Sequence, residues 1–257
     1  MAQRIGIIGA MPEEVALLDI EMHDLQSTTI ARRLFHTGKL FGIDSVVVIA
    51  RVGKVAAALT AALLIERWRV DAIVFVGSAG AIDPRLNVGD IVVADRLLHH
   101  DLDPTPIWPR YTVPLLDVKE FPTDQRLRQS AMQSASDFIK TDFLNITPSI
   151  RQKFGIVKPQ VYTGLIASGD EFVKDPAKLQ TNIPELLCVE MEGAAIAQVC
   201  YEHDLPFVVI RTISDMANSQ AHIDFAAFNA QVVCRYSRGI IYQLFSTAAC
   251  KLETVSS

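Results

Sequence analysis

Two short segments concentrate the chemistry of this chain. Glu190 and Glu192 flank Met191 where an apolar run (Leu186, Leu187, Cys188, Val189) passes into a small-residue helical pattern. Arg211, Ser214 and Asp215 close a second apolar run that begins at Pro206. Charged side chains at the ends of buried strands are costly unless they are paired or used. Open α/β sheets bind ligands at strand ends, so both segments point at one site. A third acidic pair, Glu13 and Glu14, follows the short apolar run that starts the chain. Several acids around one arginine suit acid–base work on a neutral, hydroxyl-rich ligand better than phosphate binding, because carboxylates accept hydrogen bonds from hydroxyls and repel phosphates. Ser78, Ala79 and Gly80, with Gly77, form a glycine-rich stretch whose amides a ligand can approach closely. Phe172 with Met11 and Met191 offers an apolar wall for a ring or a thioether.

The elements that must position these residues alternate. Residues 4–10 read as a buried strand, and 12–20 as a helix opened by proline and two acids. Residues 30–50 carry short β runs broken at Gly38 and Gly42, and 54–68 read as a helix. A continuous apolar strand over 70–76 ends in the Gly77–Gly80 loop, and 89–95 is a further strand. Residues 97–122, with five prolines, read as an irregular excursion. A helix over 123–139, a stretch of 140–160 without clear periodicity and a strand over 161–168 follow. The chain closes with a helix over 191–203, a strand over 207–213 and a long helix over 225–245. Buried strands alternating with helices imply a mixed, largely parallel sheet with helices on both faces, in one domain spanning residues 1–257.

Composition excludes several classes. Half of the 257 residues are hydrophobic, which argues against disorder. A net charge of −5 leaves no broad positive field, so nucleic-acid binding is not expected. No stretch approaches the roughly 18 apolar residues of a membrane span. The first apolar run stops at Pro12-Glu13-Glu14, which reads as a buried strand rather than a signal peptide. Cys188, Cys200, Cys234 and Cys250 lack metal-type spacing, so buried reduced thiols in a cytoplasmic protein are expected.

Common motifs fit poorly. Gly6-Ile7-Ile8-Gly9 lacks dinucleotide-fingerprint spacing, Gly53-Lys54-Val55 lacks the Ser or Thr of a P-loop, and Val76-Gly77-Ser78-Ala79-Gly80 is not an esterase elbow. His99-His100-Asp101 with Asp103 is a conceivable metal cluster, but adjacent loop histidines more often hydrogen-bond or face solvent, and no metal is expected.

Taken together, GIIGAMPEEV (6–15), GKVAAA (53–58), GSAG (77–80), VGDIV (88–92), SGDEF (168–172), VEME (189–192) and RTISD (211–215) resemble the nucleoside phosphorylase/nucleosidase superfamily. Within it they look most like the 5′-methylthioadenosine/S-adenosylhomocysteine nucleosidases. The resemblance implies a three-layer αβα sandwich around a mixed twisted sheet, a homodimer, a purine nucleoside as ligand, no cofactor, and a place in methionine salvage. It also implies that phosphorolytic members hold phosphate with arginines in the first loop and beside the Gly-Ser loop. Here Glu13, Glu14 and Phe75 stand there, which favours hydrolysis.

Carried onto this sequence, the resemblance makes Asp215, helped by Ser214, the general acid at adenine N7. Glu14 becomes the base for water, with Arg211 and Ser78 positioning it. Glu192 would take the ribose hydroxyls, Met191 would pack beneath the sugar, and Phe172 would stack on adenine while the Val173 backbone reads its edge. Met11, Val52 and Phe225 would line the sugar and 5′ region, with Ala79, Gly80 and Glu190 bordering the ligand. Each role has a structural rival: Glu14 and Glu192 as helix-start acids, Asp215 as a turn residue, Arg211 as an ion pair, Glu190 as a loop support. Two departures touch specificity: Ile107 stands where an aromatic residue of the partner-reaching loop is expected, and Glu171 is larger and more charged than the usual neighbour of Phe172. A phosphorylase, a hydrolase of another purine nucleoside such as a futalosine-type compound, and an idle nucleoside-binding protein are the alternatives.

Overall fold

Runs such as Ile7-Ile8 and 72–76, apolar on every side, are satisfied only by a sheet covered on both faces. A computed structural model describes residues 4–173, 175–217 and 225–246. In chain order it places β1 (Arg4–Gly9), α1 (Pro12–Ile20), β2 (Met22–Ile30), β3 (Arg33–Leu40), β4 (Ile43–Ile49), α2 (Lys54–Trp68), β5 (Ala72–Ala81) and β6 (Ile91–His99). There follow β7 (Phe121–Pro122), α3 (Gln125–Thr141), α4 (Pro148–Lys153), β8 (Val161–Ser168), α5 (Ala177–Asn182), β9 (Leu186–Glu190), α6 (Gly193–Glu202), β10 (Phe207–Asp215), α7 (Phe225–Phe228) and α8 (Cys234–Ser246).

The sheet is mixed, and part of it closes on itself. β5 pairs with β10, β10 with β6, β6 with β8, β8 with β9, and β9 back with β5. From this ring an open wing extends through β1, β4, β3 and β2. β1, β4, β5 and β10 run parallel, so their carboxyl ends share one edge.

Strand alternation sorts the core into layers. Ile5, Ile7, Val74, Val76, Val208 and Ile210 pack with residues of α1, α3 and α8 such as Leu18, Phe138 and Ile240. Their neighbours Ile8, Ile73, Phe75 and Val209 turn to the opposite face, against Ala57, Ala61 and Leu64 of α2 and Ala194 and Ala197 of α6. This is the expected αβα sandwich.

Several boundaries differ from the sequence reading. The Gly77–Gly80 stretch is not a loop: β5 continues through it, because Gly77 to Gly80 pair with β10 from Arg211 to Asp215. Gly38 lies inside β3, where its missing side chain admits the His23 carbonyl of β2; the break falls at Gly42. The strand β2, mostly exposed and polar, carried no periodic apolar signal. The closing helix is interrupted by a π turn at Asn229–Val233. The unassigned 140–160 stretch contains a 3₁₀ turn and α4. Cys188, Cys200 and Cys234 are free and buried, while Cys250 lies outside the described residues.

The α3–α8 contact generates a stability prediction. A Cβ on Gly239 of α8 would overlap the Phe138 ring, which is itself backed by Tyr236 at 4.8 Å between centroids. Gly→Ala inside a helix ordinarily gains about 0.5–1 kcal/mol, whereas overpacking a tight core costs about 1–3 kcal/mol. Gly239→Ala should therefore lower the denaturation midpoint, and adding Phe138→Leu should recover part of the loss in the same urea titration.

Candidate active site

β1 ends at Gly9 and α1 starts at Pro12, so the two residues between them lie at the carboxyl edge of the sheet. Glu14, in the first turn of α1, folds back over this junction. Its Oε2 accepts the amides of Ala10 at 2.6 Å and Met11 at 3.0 Å, and its Oε1 accepts the Ser78 amide at 3.1 Å. The helix-start reading of Glu14 is thus correct for one oxygen, while the other is held on β5. The carboxyl is only 3% exposed, and burial raises its pKa against the Arg211 charge and these three amides. Gly77 makes this approach possible, since a Cβ there would overlap both Glu14 Oε1 and the Arg211 guanidinium.

Glu190, the last residue of β9, is the hub of the cavity floor. It accepts the amides of Glu192 at 3.1 Å and Gly193 at 2.8 Å, the Ser168 hydroxyl, and Nη2 of Arg211 at 2.6 Å. Ser168 Oγ in turn accepts the Ala194 amide at 2.7 Å. Glu190 therefore fixes the start of α6 and the arginine together, which is the supporting role that was its structural alternative. Arg211 itself does not border the cavity. Its guanidinium lies 3.7 Å from the Phe75 ring centroid and is 1% exposed, so it acts on a ligand only through the carboxylates it neutralises. Arg211, expected to help position the water, is held behind the floor by its pair with Glu190 and borders the cleft with none of its atoms.

Glu192 sits at the mouth of α6 and accepts the Gly53 amide at 2.8 Å. Gly53 has φ +99°, a conformation glycine adopts without penalty, and this aims its N–H at the carboxylate. Burial, then the nearby Glu190 charge, pushes Glu192 up to about 8. At the end of β10 an irregularity between Ile213 and Asp215 turns Asp215 toward Gly80. Asp215 Oδ2 accepts the Ser214 hydroxyl at 2.6 Å and Oδ1 accepts the Ala217 amide at 2.8 Å. Burial nonetheless raises its carboxyl above the ordinary value.

These groups border one cleft. Fourteen of the fifteen residues expected at the site line it, Arg211 being the exception. Met11, Val52, Met191 and Phe225 form apolar wall, and Phe172 meets Phe225 edge-on with centroids 6.3 Å apart. Ala10, Val189, Ala217 and Glu171 also line it; the first three are small or apolar and carry no chemical signal in sequence. Among the described residues no lysine or arginine lines the cleft.

The loop bearing Phe172 and Val173 is clipped in place. The Lys54 amide donates to Asp170 at 2.8 Å, the Lys54 ammonium pairs with Asp101 at 2.5 Å, and the Asp170 amide donates to Asp101 at 2.9 Å. The His-His-Asp segment thus serves this clip: His100 packs on Gly169, and His99 Nε2 lies 3.1 Å from Gln198 Oε1.

Comparison with known proteins agrees with this arrangement. The family model of the phosphorylase superfamily matches residues 4–245. A 5′-methylthioadenosine/S-adenosylhomocysteine nucleosidase of Anoxybacillus flavithermus is 41% identical over 228 residues, covering 87% of this chain and 90% of that protein. The crystal structure of such a nucleosidase from Colwellia psychrerythraea, in complex with adenine, superposes with a TM-score of 0.82 at 36% identity, covering 95% of each chain. The futalosine hydrolase of Helicobacter pylori superposes with a TM-score of 0.80 at 29% identity, covering 95% of this chain and 97% of that one. With the fold, the strand-end carboxylates and these likenesses in agreement, the chain belongs to the phosphorylase superfamily and, within it, to the 5′-methylthioadenosine/S-adenosylhomocysteine nucleosidases.

Proposed function

We propose that this protein hydrolyses the N-glycosidic bond of 5′-methylthioadenosine and S-adenosylhomocysteine, releasing adenine and the 5′-thio-substituted ribose. The observation that carries hydrolysis over phosphorolysis is the electrostatics of the cleft. Its floor is the buried Glu14 carboxylate, no described cation lines it, and Arg211 is occupied by Glu190. A phosphate dianion placed there would meet carboxylates and no compensating charge.

In this reading, breaking the bond develops positive charge on the ribose and negative charge on the purine. Asp215, held by Ser214 and raised by burial, carries a proton to N7. Glu14, also raised, is a stronger base than a solvated carboxylate and takes the proton of the attacking water. Glu192 receives the ribose hydroxyls on the oxygen not used by Gly53. Phe172 stacks on the purine, Met191 packs beneath the sugar, and Met11, Val52 and Phe225 enclose the 5′ group. The mechanism calls for no metal or organic cofactor.

No described helix is long and apolar enough to cross a membrane. A cytoplasmic homodimer is part of the same reading. Its support is the outer face of α2, where Val55 is 82% and Leu59 43% exposed one turn apart. Light scattering should give twice the chain mass, and Val55→Asp should shift it toward the monomer.

The likeness to futalosine hydrolase supports a second reading in which the same carboxylates cleave a different 5′-substituted nucleoside. Incubation with methylthioadenosine in phosphate-free buffer decides between them. Adenine and free methylthioribose are expected; a requirement for phosphate, with a sugar 1-phosphate product, would overturn hydrolysis, and no turnover of methylthioadenosine or S-adenosylhomocysteine would favour the second substrate class.

Asp215→Asn should lower kcat by about 10²–10⁴-fold. The same variant tests the raised carboxyl through stability. A carboxyl whose pKa is higher folded than unfolded favours the folded state at acid pH and loses that contribution as pH rises through its folded value. Asp215→Asn should therefore raise the melting temperature of the free protein more at pH 8 than at pH 5; the opposite trend would show that Asp215 is not protonated by its surroundings. Glu14→Gln should abolish hydrolysis while calorimetry still detects nucleoside binding.

A further inference from the structure

The segment that offers Phe172 and Val173 to the cleft takes its hydrogen bonds at its upstream end. After β8 ends at Ser168, the Gly169 amide donates to the Glu190 carbonyl at 3.2 Å, and the Asp170 amide donates to Asp101 Oδ2 at 2.9 Å. The Asp170 carboxylate in turn accepts the Lys54 amide at 2.8 Å. Beyond it, Glu171, Phe172 and Val173 take no hydrogen bond among the described residues. Phe172 meets Phe225, and Val173 packs on an apolar cluster that includes Ile183 and Val189. Where these residues stand along the cleft therefore depends on where Asp170 is fixed.

Asp101 is the node of that anchorage. Its Oδ2 takes the Asp170 amide while its Oδ1 takes the Lys54 ammonium at 2.5 Å, so both oxygens are used. The packing is close: a Cβ on Gly169 would overlap the His100 ring and press on the Asp101 carboxyl carbon. Lys54 is the first residue of α2 and follows Gly53, whose amide seats Glu192. The Lys54–Asp101 pair thus joins the loop beside Phe172 to the helix end that holds Glu192, and neither residue lines the cleft. Its side chains are 20% and 27% exposed. An ion pair this accessible adds little to global stability, but here it restrains a loop with few other bonds.

We propose that Asp101 and Lys54 are positioning residues: their pair holds the Phe172–Val173 segment in the conformation that receives the purine, and without it only a fraction of the free protein is ready to bind. This rests on the nucleosidase reading above, which sets the base against Phe172. Neither charge is among the influences on the Glu14 or Asp215 carboxyls, so the chemical step does not depend on the pair. A smaller competent fraction weakens apparent affinity in proportion and leaves the bound complex unchanged. The loss therefore falls on binding of the base rather than on bond cleavage.

The test measures kcat and KM for methylthioadenosine, and adenine affinity by calorimetry, in the wild type, Asp101→Asn, Lys54→Met and the double variant. Asparagine keeps an acceptor for the Asp170 amide. Methionine keeps an unbranched side chain of good helix propensity, and the backbone amide at 54 still serves Asp170. Each single substitution should raise KM and the adenine dissociation constant about three- to tenfold, with kcat within about twofold and its pH profile unmoved. The double variant should bind no more weakly than the weaker single one, because the two residues act as one unit. A fall in kcat with adenine binding unchanged would overturn the proposal, as would constants that stay at wild-type values whether or not the melting temperature drops. So would a loss that follows dissociation in light scattering and is recovered at higher protein concentration. Failure of the wild type to cleave methylthioadenosine or S-adenosylhomocysteine would instead overturn the nucleosidase reading, and the positioning role with it.

Discussion

Arg211 is the cation on which the site depends. Its guanidinium, withdrawn from water, lies against Phe75, donates to Glu190 and faces Glu14 across the space left by Gly77. Burying three carboxylates near one another is prohibitive unless some of the charge is compensated or protonated. Arg211 compensates the part that must stay ionised. Burial and the neighbouring charge leave Glu192 above the ordinary carboxylate range, and burial does the same to Glu14. Burial thus sets the direction of both shifts, and the Arg211 charge partly offsets it.

The division of labour between the two ends of the cleft follows from what each carboxyl touches. Glu14 rests on three backbone amides, which favour its charged form and fix its direction. Asp215 has one amide and one hydroxyl, no cation, and a largely buried position. The better-solvated partner set belongs to the proposed base and the poorer one to the proposed acid. Such separation by environment allows one site to donate a proton and accept another at the same pH.

The sheet positions these groups because it closes. Joining β9 to β5 brings the Glu190–Glu192 segment beside Gly80, and joining β5 to β10 brings Asp215 there as well. The helices then supply the ends: α1 delivers Glu14, and the start of α2 delivers the Gly53 amide to Glu192 and the Lys54 amide to Asp170. The loop carrying Phe172 is thereby tied to the same helix that seats the proposed ribose anchor, so the two parts of the cleft are mechanically one.

The sequence by itself determined the alternation of elements, since the Ala- and Leu-rich run 54–68 and the strand run 161–168 match the bounds of α2 and β8, and it singled out Glu14, Glu192 and Asp215 as acids that buried strand ends seldom carry unused. It also held the family likeness, because the motifs recur in order along most of the chain. The tertiary structure alone decided which polar groups face the cleft and which stand behind it. Arg211 and Asp215 sit on the same strand, and no local pattern shows that one is consumed by Glu190 while the other is left free. Gly77 to Gly80 read as a loop because glycine is a poor strand former, yet pairing with β10 overrides that preference. β2 and α5 escaped because their stability comes from neighbours rather than from an apolar period of their own. Local propensity reports what a segment prefers alone; the closure of the ring and the partners of each charge are set by contacts between residues far apart in sequence, and those exist only in the folded chain.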